Sequence, residues 1–352
     1  MGRCAFLSFR LGGSDGVSIV ADQCQTMFGR LGWSTVTVAG EGPVDRIIEG
    51  LAIGSATPPS RADLEAALDD CDLVVVENLL TIPMQLSASR VAAEVLAGRP
   101  ALLHHHDPPW QRERFASITE LPATDPAWRH VTINQLTERQ LRDRGIEATT
   151  IYNPFDTTAL TERERTQLRR DQREHLGVGD DEPLIVHPVR AIERKNLPAA
   201  LALAEAIGAT YWLTGPAEED YAPTLARLLD TARTRVIHEP AVSLPSLYAA
   251  ADLVVFPSTW EGFGNPPVEA AIHRRPVLVG SYPVAAEQRA MGFEWPVFSG
   301  VDPDVVEVAR REIVSPDPAV LDHNRAVAIE RLDIGVATAR LLYVLEQAGW
   351  QP

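Results

Sequence analysis

The sequence predicts two doubly wound α/β domains, each with a parallel sheet covered by helices on both faces. Short apolar runs alternate with helix-length stretches along almost the whole chain. Hydrophobicity within these runs is continuous rather than alternating, which is typical of strands buried on both faces of a parallel sheet. The runs form two series separated by a charged stretch and turn residues, which indicates two domains.

Apolar runs define the predicted strands of both series. Those of the first series lie at residues 5–9, 35–39, 73–77, 101–105, 131–133 and 149–152, and those of the second at 184–189, 210–213, 235–238, 253–257 and 276–279. Helical patterns lie between them, for example at 17–31, 61–68 and 199–207. We expect an N-terminal domain over 1–155, a linker over 156–182, a second domain over 183–330 and a closing helix over 331–352.

Size and charge limit the functions that the chain can have. It has 352 residues, of which 45% are hydrophobic and 23% charged, as in an ordinary globular protein. The formal net charge of −16 argues against nucleic acid as a partner, because no basic field would attract a polyanion. The charged stretch at 162–174 mixes arginine with glutamate and predicts a solvated helix.

Cysteine usage and the apolar runs bear on location. Cys4, Cys24 and Cys71 are odd in number and form no C-x-x-C pair, so we expect buried, reduced thiols and a cytoplasmic protein. The apolar start of the chain is too short for a signal peptide. No uncharged apolar run reaches the ~18 residues that a membrane span needs.

The strongest motif is the segment from Glu261 to Glu269, which reads EGFGNPPVE. It follows an apolar strand and leads into a helix of small residues, an order typical of phosphate-binding loops. Gly262 and Gly264 permit close approach of the backbone, and the amides of a helix N-terminus attract an anion. The two glutamates can accept hydrogen bonds from the hydroxyls of a sugar and of a ribose. Alternatively, Glu269 stabilises only the dipole of its own helix.

The segment 261–269 resembles the two-glutamate signature, E-x7-E, of retaining glycosyltransferase family 4 (glycosyl transferases group 1), which has the GT-B fold. Other segments match that family in the required order: the element from Arg190 to Lys195, the strand ending at Gly215, the glycine loop at 11–18 and the histidines at 103–107. The resemblance covers nearly the whole chain and is more specific in the second half. Two positions depart from the family pattern. Val189 stands where glycine is frequent, and Asn265 is followed by two prolines.

The resemblance implies two facing Rossmann-like domains with a cleft between them. It also implies transfer of a hexosyl group from a nucleoside diphosphate sugar to the hydroxyl of a small-molecule, glycan or lipid-linked acceptor. Retention of configuration and a metal-independent reaction are also implied. No cofactor is expected, because the nucleotide sugar is itself a co-substrate. The implied catalytic residues are Arg190, Lys195, Glu261 and His106; the donor-binding residues are Gly215, Gly262, Phe263, Gly264, Asn265 and Glu269; the acceptor or phosphate loop comprises Gly12, Gly13, Asp15 and Gly16.

Physical chemistry supports the two cationic residues independently of the resemblance. A leaving nucleoside diphosphate gains negative charge, which either a divalent metal or fixed cations and helix dipoles stabilise. Arg190 and Lys195 lie between the end of a predicted strand and the start of a helix. Ligands of α/β sheets bind beyond the carboxyl ends of the strands, so both side chains can face one ligand.

A metal site is less consistent with the sequence. Asp70 and Asp72 form an Asp-x-Asp pair, but they precede a predicted strand and so lie at its amino end, away from a ligand crevice. His104 and His106 share one side of a strand, and no further Cys/His cluster completes four ligands. We expect His106 to contact the transferred sugar. Asp15 precedes a helix, where it either hydrogen-bonds an acceptor hydroxyl or caps that helix.

Three other functions fit the same architecture. A GT-B glycoside phosphorylase would use the same site with inorganic phosphate. A nucleotide-sugar epimerase would convert its ligand without an acceptor, and a non-catalytic protein would bind the nucleotide sugar without turnover. The intact set of charged residues argues against the last of these.

Overall fold

The computed structural model describes residues 2–13 and 15–352. The chain divides into two compact units. Unit 1 comprises Met1–Asp156 and Leu332–Pro352, and unit 2 comprises Thr157–Arg331. The C-terminal segment therefore belongs to unit 1, although the whole of unit 2 precedes it in the chain.

Unit 1 contains a seven-stranded parallel sheet. Its strands are β1 (Arg3–Arg10), β2 (Ser34–Glu41), β3 (Arg46–Ile47), β4 (Leu73–Glu77), β5 (Ala101–His105), β6 (Trp128–Thr132) and β7 (Ala148–Thr150). Its helices before residue 156 are α1 (Gly16–Arg30), α2 (Arg61–Leu68), α3 (Leu86–Leu96) and α4 (Gln135–Arg142), with single turns at Glu49–Leu51, Pro109–Gln111 and Glu113–Phe115. The strand order is 3-2-1-4-5-6-7, and every pairing is parallel.

Unit 2 contains a six-stranded parallel sheet. Its strands are β8 (Leu184–His187), β9 (Thr210–Leu213), β10 (Val236–His238), β11 (Leu253–Phe256), β12 (Val277–Gly280) and β13 (Val297–Phe298). Its helices are α5 (Glu162–Leu176), α6 (Leu197–Ile207), α7 (Ala222–Thr231), α8 (Leu244–Ala250), α9 (Asn265–Ile272), α10 (Pro283–Ala290), α11 (Pro303–Val314) and α12 (Pro318–Leu332), with a single turn at Glu193–Lys195. The order is 10-9-8-11-12-13, again all parallel. The predicted fold class is confirmed.

The core of unit 1 lies on both faces of its sheet. Alternate residues of β1 point to opposite faces, so Leu7 joins a cluster with α2 and α3, whereas Phe6 joins one with α1. The last helix, α13 (Ile334–Ala348), closes the second cluster through Leu341 and Leu345. Continuous apolar strands are therefore needed, because each face has its own helical cover.

Two short edge strands carry no signal in the sequence. β3 and β13 have two residues each, and neither is fully buried. An edge strand pairs on one side only, so it does not require the continuous apolar run of an inner strand. A third difference concerns β8, which was predicted to reach residue 189 and ends at His187. Residue 188 is proline and lacks the amide that a further ladder bond requires.

The aspartates of the predicted Asp-x-Asp pair contact other residues of unit 1, and the cysteines are part of its interior. Asp70 forms ion pairs with Arg3 and Arg46, and Asp72 accepts a hydrogen bond from the backbone amide of Arg3. These contacts lie at the amino end of β4, as predicted. The three cysteines are buried and free of disulfides.

Helix α5 is mostly exposed, as its charge pattern predicts, but it also carries a buried cation. The Arg173 side chain is 1% exposed. Its guanidinium donates to the carbonyls of Ala250 and Gly179 at 2.9 and 2.6 Å, to that of Glu182, and to Asp252 at 3.2 Å. One arginine thus links α5 to the end of α8 and to the segment that enters β8.

In the described part of the chain, no helix combines the length and the apolar character that crossing a bilayer requires.

We predict that Arg173→Ala lowers the apparent free energy of unfolding by about 3 kcal/mol or more, because it leaves several buried acceptors without a donor. Urea unfolding followed by circular dichroism measures this loss. Arg170→Ala is the matched control, since Arg170 lies on the exposed face of the same helix. We expect that control to stay within about 0.5 kcal/mol of wild type. Equal losses for the two variants would contradict the role of Arg173.

Candidate functional site

The carboxyl ends of β8 and β11 bring two predicted segments together in unit 2. These strands are neighbours in the sheet, so the chain segments that follow them emerge side by side. Backbone and side-chain hydrogen bonds join the segments: the amide of Thr259 donates to the carbonyl of Arg194 at 2.9 Å, and the Asn196 amide group donates to the Pro257 carbonyl at 3.4 Å. The loop containing Glu261 is therefore held against the Arg190–Lys195 segment.

Glu261 and Lys195, both predicted site residues, form a buried ion pair. The Lys195 ammonium lies 2.5 Å from Oε1 of Glu261, while Nη1 of Arg194 lies 2.6 Å from Oε2. Burial alone would raise the pKa of Glu261, but the two cations hold it at about 2. The carboxylate is thus ionised, with one cation on each oxygen, and the cluster carries a net positive charge.

Lys195 is the single lysine of the chain. It lies in a one-turn helix, is 8% exposed, and its ammonium is 5.1 Å from the centre of the Phe256 ring. Burial lowers its pKa to about 8, with Arg194 and Arg190 contributing in the same direction and Glu261 opposing them. A buried amine of lowered pKa beside other cations is typical of an anion-binding or catalytic site.

Arg190 does not share the carboxylate of Glu261. Its Nη1 donates to Oε2 of Glu218 at 2.6 Å. Because Arg190 contributes to the lowered pKa of Lys195, the two cations still lie within electrostatic range of each other. Gly215, predicted beside the nucleotide, approaches the segment before Arg190 closely: a Cβ there would lie 2.4 Å from the Val189 carbonyl oxygen.

The loop at residues 262–265 forms a tight turn into α9. Gly264 has a φ of 91°, and a Cβ at this position would lie 2.4 Å from the Tyr282 hydroxyl, so glycine is required. Phe263 is buried, and its carbonyl accepts a hydrogen bond from Gln288. Asn265 begins α9, where no side chain caps the helix.

The helix N-terminus offers fewer amide donors than predicted. Pro266 and Pro267 occupy its first turn, and proline has no N–H. Two of the amide donors expected for an anion are therefore missing. Any anion here must rely more on the loop amides and on Lys195 than the motif alone suggests.

Glu269, the second glutamate, has surroundings opposite to those of Glu261. Its Oε2 accepts a hydrogen bond from the Tyr248 hydroxyl at 2.6 Å. Burial raises the pKa of Glu269 to about 7, and the bond from Tyr248 lowers it only in part. The Tyr248 ring in turn stacks on His273, with 5.2 Å between ring centroids. Glu269 is thus a partly buried hydrogen-bonding group with no cation among its pKa determinants.

The predicted N-terminal loop belongs to unit 1. Asp15 caps α1, with its Oδ1 accepting from the amides of Val17 and Ser18 at 3.2 Å. Of the two roles considered for Asp15, the structure shows the helix cap. Gly12 has a φ of 76°, whereas Gly13 and Gly16 have ordinary φ values. Ser14, within the same loop, lies outside the described residues.

His106, the predicted sugar-contacting histidine, lies one residue beyond β5. Its Nε2 is 2.7 Å from Oε2 of Glu77, at the end of β4. Nδ1 of His104 also contacts Glu77, at 3.1 Å from Oε1. His105 points to the opposite side, where it contacts Thr81 and His130. Of the three consecutive histidines, His104 and His106 therefore share one side, as predicted.

Three residues of unit 1 offer ligand atoms at metal-like spacing. Those of Cys24, Glu77 and His104 lie within 4.8 Å of one another. Both carboxylate oxygens of Glu77, however, already accept hydrogen bonds from imidazoles. Burial also raises the pKa of the Cys24 thiol well above its ordinary range, which disfavours the thiolate that a metal needs. The cluster is better described as a hydrogen-bonded network.

The sequence patterns did not identify Arg194, Tyr248 and Glu77. Arg194 directly precedes Lys195, and its proximity in the chain was an available signal. Tyr248 and Glu77 are distant in sequence from the residues that they contact, so only the packing of α8 against α9 and of β4 against β5 reveals them.

The raised pKa of Glu269 predicts a pH-dependent stability. Between its ordinary pKa of 4.5 and about 7, the folded protein binds an extra proton at this site. The contribution of protonated Glu269 to the free energy of unfolding is therefore fully present below pH about 4.5 and is lost as the pH rises through about 7. Glutamine does not titrate, so Glu269→Gln should gain about 1 to 3 kcal/mol of stability relative to wild type between pH 5 and pH 8.

Urea unfolding at the two pH values measures this difference. Glu307→Gln is the control, because Glu307 is exposed on α11. The difference between that variant and wild type should not change with pH. A pH-independent difference for Glu269→Gln as well would refute the raised pKa.

Comparison with known proteins supports the motif-based family. A family model described as Glycosyl transferases group 1 matches residues 192–297. Mannosylglucosylglycerate synthase of Thermotoga maritima is 28% identical over 264 residues, which cover 63% of this chain and 60% of that protein. The enzyme of the same name from Petrotoga mobilis is 26% identical over 274 residues, covering 64% and 63%. The matched region thus spans less than two thirds of these relatives.

A solved structure shows the same fold over the full length. The Anabaena protein HepE, in complex with UDP and glucose, superposes with a TM-score of 0.77 at 19% identity, covering 99% of this chain and 100% of that one. These findings agree with the family predicted from the E-x7-E signature. The chain carries a glycosyl transferases group 1 domain in its second unit, on the fold of the GT-B glycosyltransferases.

Proposed function

We propose that the chain transfers a hexosyl group from a nucleoside diphosphate sugar to an acceptor hydroxyl, with retention of configuration and without a metal. The observation that carries this proposal is the cluster of Lys195, Arg194 and Glu261 beside the glycine loop that enters α9. Fixed cations next to a helix N-terminus suit a diphosphate leaving group. A carboxylate held ionised beside them suits the hydroxyls of the transferred sugar.

The proposed reaction needs no side chain to act as the base, because the leaving phosphate takes the acceptor proton. The bond between the anomeric carbon and the diphosphate oxygen breaks, and its electron pair leaves with the diphosphate. The acceptor oxygen bonds to the same face of the anomeric carbon. The acceptor proton passes to the leaving phosphate oxygen. Lys195 and Arg190 would stabilise the charge that develops on that oxygen, which is the role a metal fills in other transferases.

The two glutamates would have separate tasks. Glu261, ionised between its cations, would accept hydrogen bonds from the hexose hydroxyls. Glu269 would accept from the ribose of the nucleotide, in place of its present bond from Tyr248. Removing a buried hydrogen-bond partner of this kind typically costs 1–3 kcal/mol. The name of the synthase relatives and the UDP and glucose held by HepE support a nucleoside diphosphate sugar as donor.

Lys195→Ala should reduce turnover by about 100-fold or more, since one fixed donor to a developing oxyanion is typically worth two to three orders of magnitude. Release of nucleoside diphosphate from UDP-, GDP- and ADP-sugars in the presence of candidate acceptors measures this. Arg227→Ala, on the exposed surface of α7, is the control and should keep wild-type turnover. A folded Lys195→Ala variant with wild-type turnover would refute the diphosphate role.

The single lysine also permits a direct binding test. Reductive methylation with ¹³C-formaldehyde labels Lys195 and the α-amino group, so the NMR spectrum contains one lysine signal. A nucleoside diphosphate at Lys195 should displace that signal and leave the α-amino signal in place. Titration with UDP, GDP and ADP identifies the base. An unmoved lysine signal with all three at millimolar concentration would sink the proposed donor site.

A further inference from the structure

The carboxylate of Glu77 is completely buried at the end of β4 in unit 1. Burial alone would raise its pKa, but contacts with His104 and His106 hold it at about 2. An ionised carboxylate only accepts hydrogen bonds. Each imidazole nitrogen that faces Glu77 must therefore carry a hydrogen: Nδ1 of His104 and Nε2 of His106.

Asn78 holds the backbone beside the same histidine. Its side-chain Oδ1 accepts hydrogen bonds from the backbone amides of His106 and Asp107, both at 3.1 Å, and its backbone amide donates to the His104 carbonyl at 3.1 Å. Asn78 has a φ of 63°, in the left-handed region, which asparagine tolerates better than most residues. Glu77 and Asn78 thus fix the ring and the backbone of His106 together.

The neighbouring titratable groups do not compete for this role. Cys4 on β1 and Cys24 on α1 are thiols whose pKa burial raises well above the ordinary range, so they are uncharged. Burial lowers the pKa of His104, so that ring is neutral, and its Nε2 carries a lone pair and no hydrogen. Asp107 is paired with Arg112 at 2.6 Å.

The orientation of His106 leaves one ring nitrogen for a ligand. Nε2 is committed to Glu77, and among the described residues Nδ1 makes no hydrogen bond. His106 follows the carboxyl end of β5, the edge of a parallel sheet at which ligands bind. Such an edge position suits a side chain that must meet a ligand; the His106 side chain is 5% exposed, whereas that of Glu77 is 0% exposed.

We propose that Glu77 and Asn78 are positioning residues that hold His106 with Nε2–H on the carboxylate and present Nδ1 to a sugar hydroxyl. This inference rests on the proposed function in one respect: it takes His106 as the residue that meets the sugar. The carboxylate sets which ring nitrogen carries hydrogen, as the second partner of a functional histidine generally does.

The tautomer of His106 is the first measurement. In ¹⁵N-histidine-labelled wild-type protein, we expect the His106 ring to show hydrogen on Nε2, with slow exchange because its partner is buried. Glu77→Gln keeps the size of the side chain, but its amide both donates and accepts, so it no longer imposes this tautomer. Glu94→Gln, exposed on α3, is the control and should leave the His106 signals unchanged.

Wild-type protein alone decides this measurement even if a variant fails to fold. A His106 ring with hydrogen only on Nδ1 would overturn the proposal, and so would an unchanged ring spectrum in folded Glu77→Gln. The measurement requires no substrate, so it stands apart from the transferase proposal.

Kinetics provide the second measurement. Glu77→Gln should reduce kcat by about 10-fold or more while changing the donor KM by less than about 3-fold, because a misplaced ring affects the reacting geometry more than ground-state binding. Glu77→Asp keeps the charge and should recover part of the loss. An unchanged kcat would refute the positioning role. If the wild-type protein shows the expected His106 tautomer but no transferase activity, the proposed function is refuted instead.

Discussion

The ion pair between the buried Glu261 carboxylate and Lys195, with Arg194 on its second oxygen, is the interaction on which the candidate donor site depends. A buried carboxylate without such partners would cost several kcal/mol or take up a proton. The pairing requires the segment after β8 to meet the loop after β11. Parallel, adjacent strands provide that meeting, because their carboxyl ends lie at one edge of the sheet.

Three buried or partly buried glutamates show how surroundings decide protonation. Glu261 and Glu77 stay ionised because cations or imidazole N–H groups surround them. Glu269 faces a tyrosine hydroxyl instead, and burial raises its pKa to about 7. The same side chain is thus a fixed anion at two positions and a titrating group at the third. This separation gives the two glutamates of the E-x7-E signature different chemical properties.

The sequence predicts the inner strands well and contains the motif of the candidate site, because both depend on local patterns. Continuous apolar runs mark strands covered on both faces, and the spacing of Glu261 and Glu269 is visible in the sequence alone. Edge strands such as β3 leave no such pattern. The buried Arg173 was also missed, since its acceptors are carbonyls of distant loops and its own segment reads as solvated.

By itself, the sequence determined the two doubly wound folds, the glycine turn into α9 and the position of Lys195 shortly after a strand, because each depends on residues that are close in sequence. Only the tertiary structure decided the partners. Arg194, rather than Arg190, shares Glu261 with Lys195, and Tyr248 contacts Glu269. Those choices depend on which side chains meet across neighbouring elements, and a hydrogen bond of under 3 Å is set by packing that residue spacing does not record.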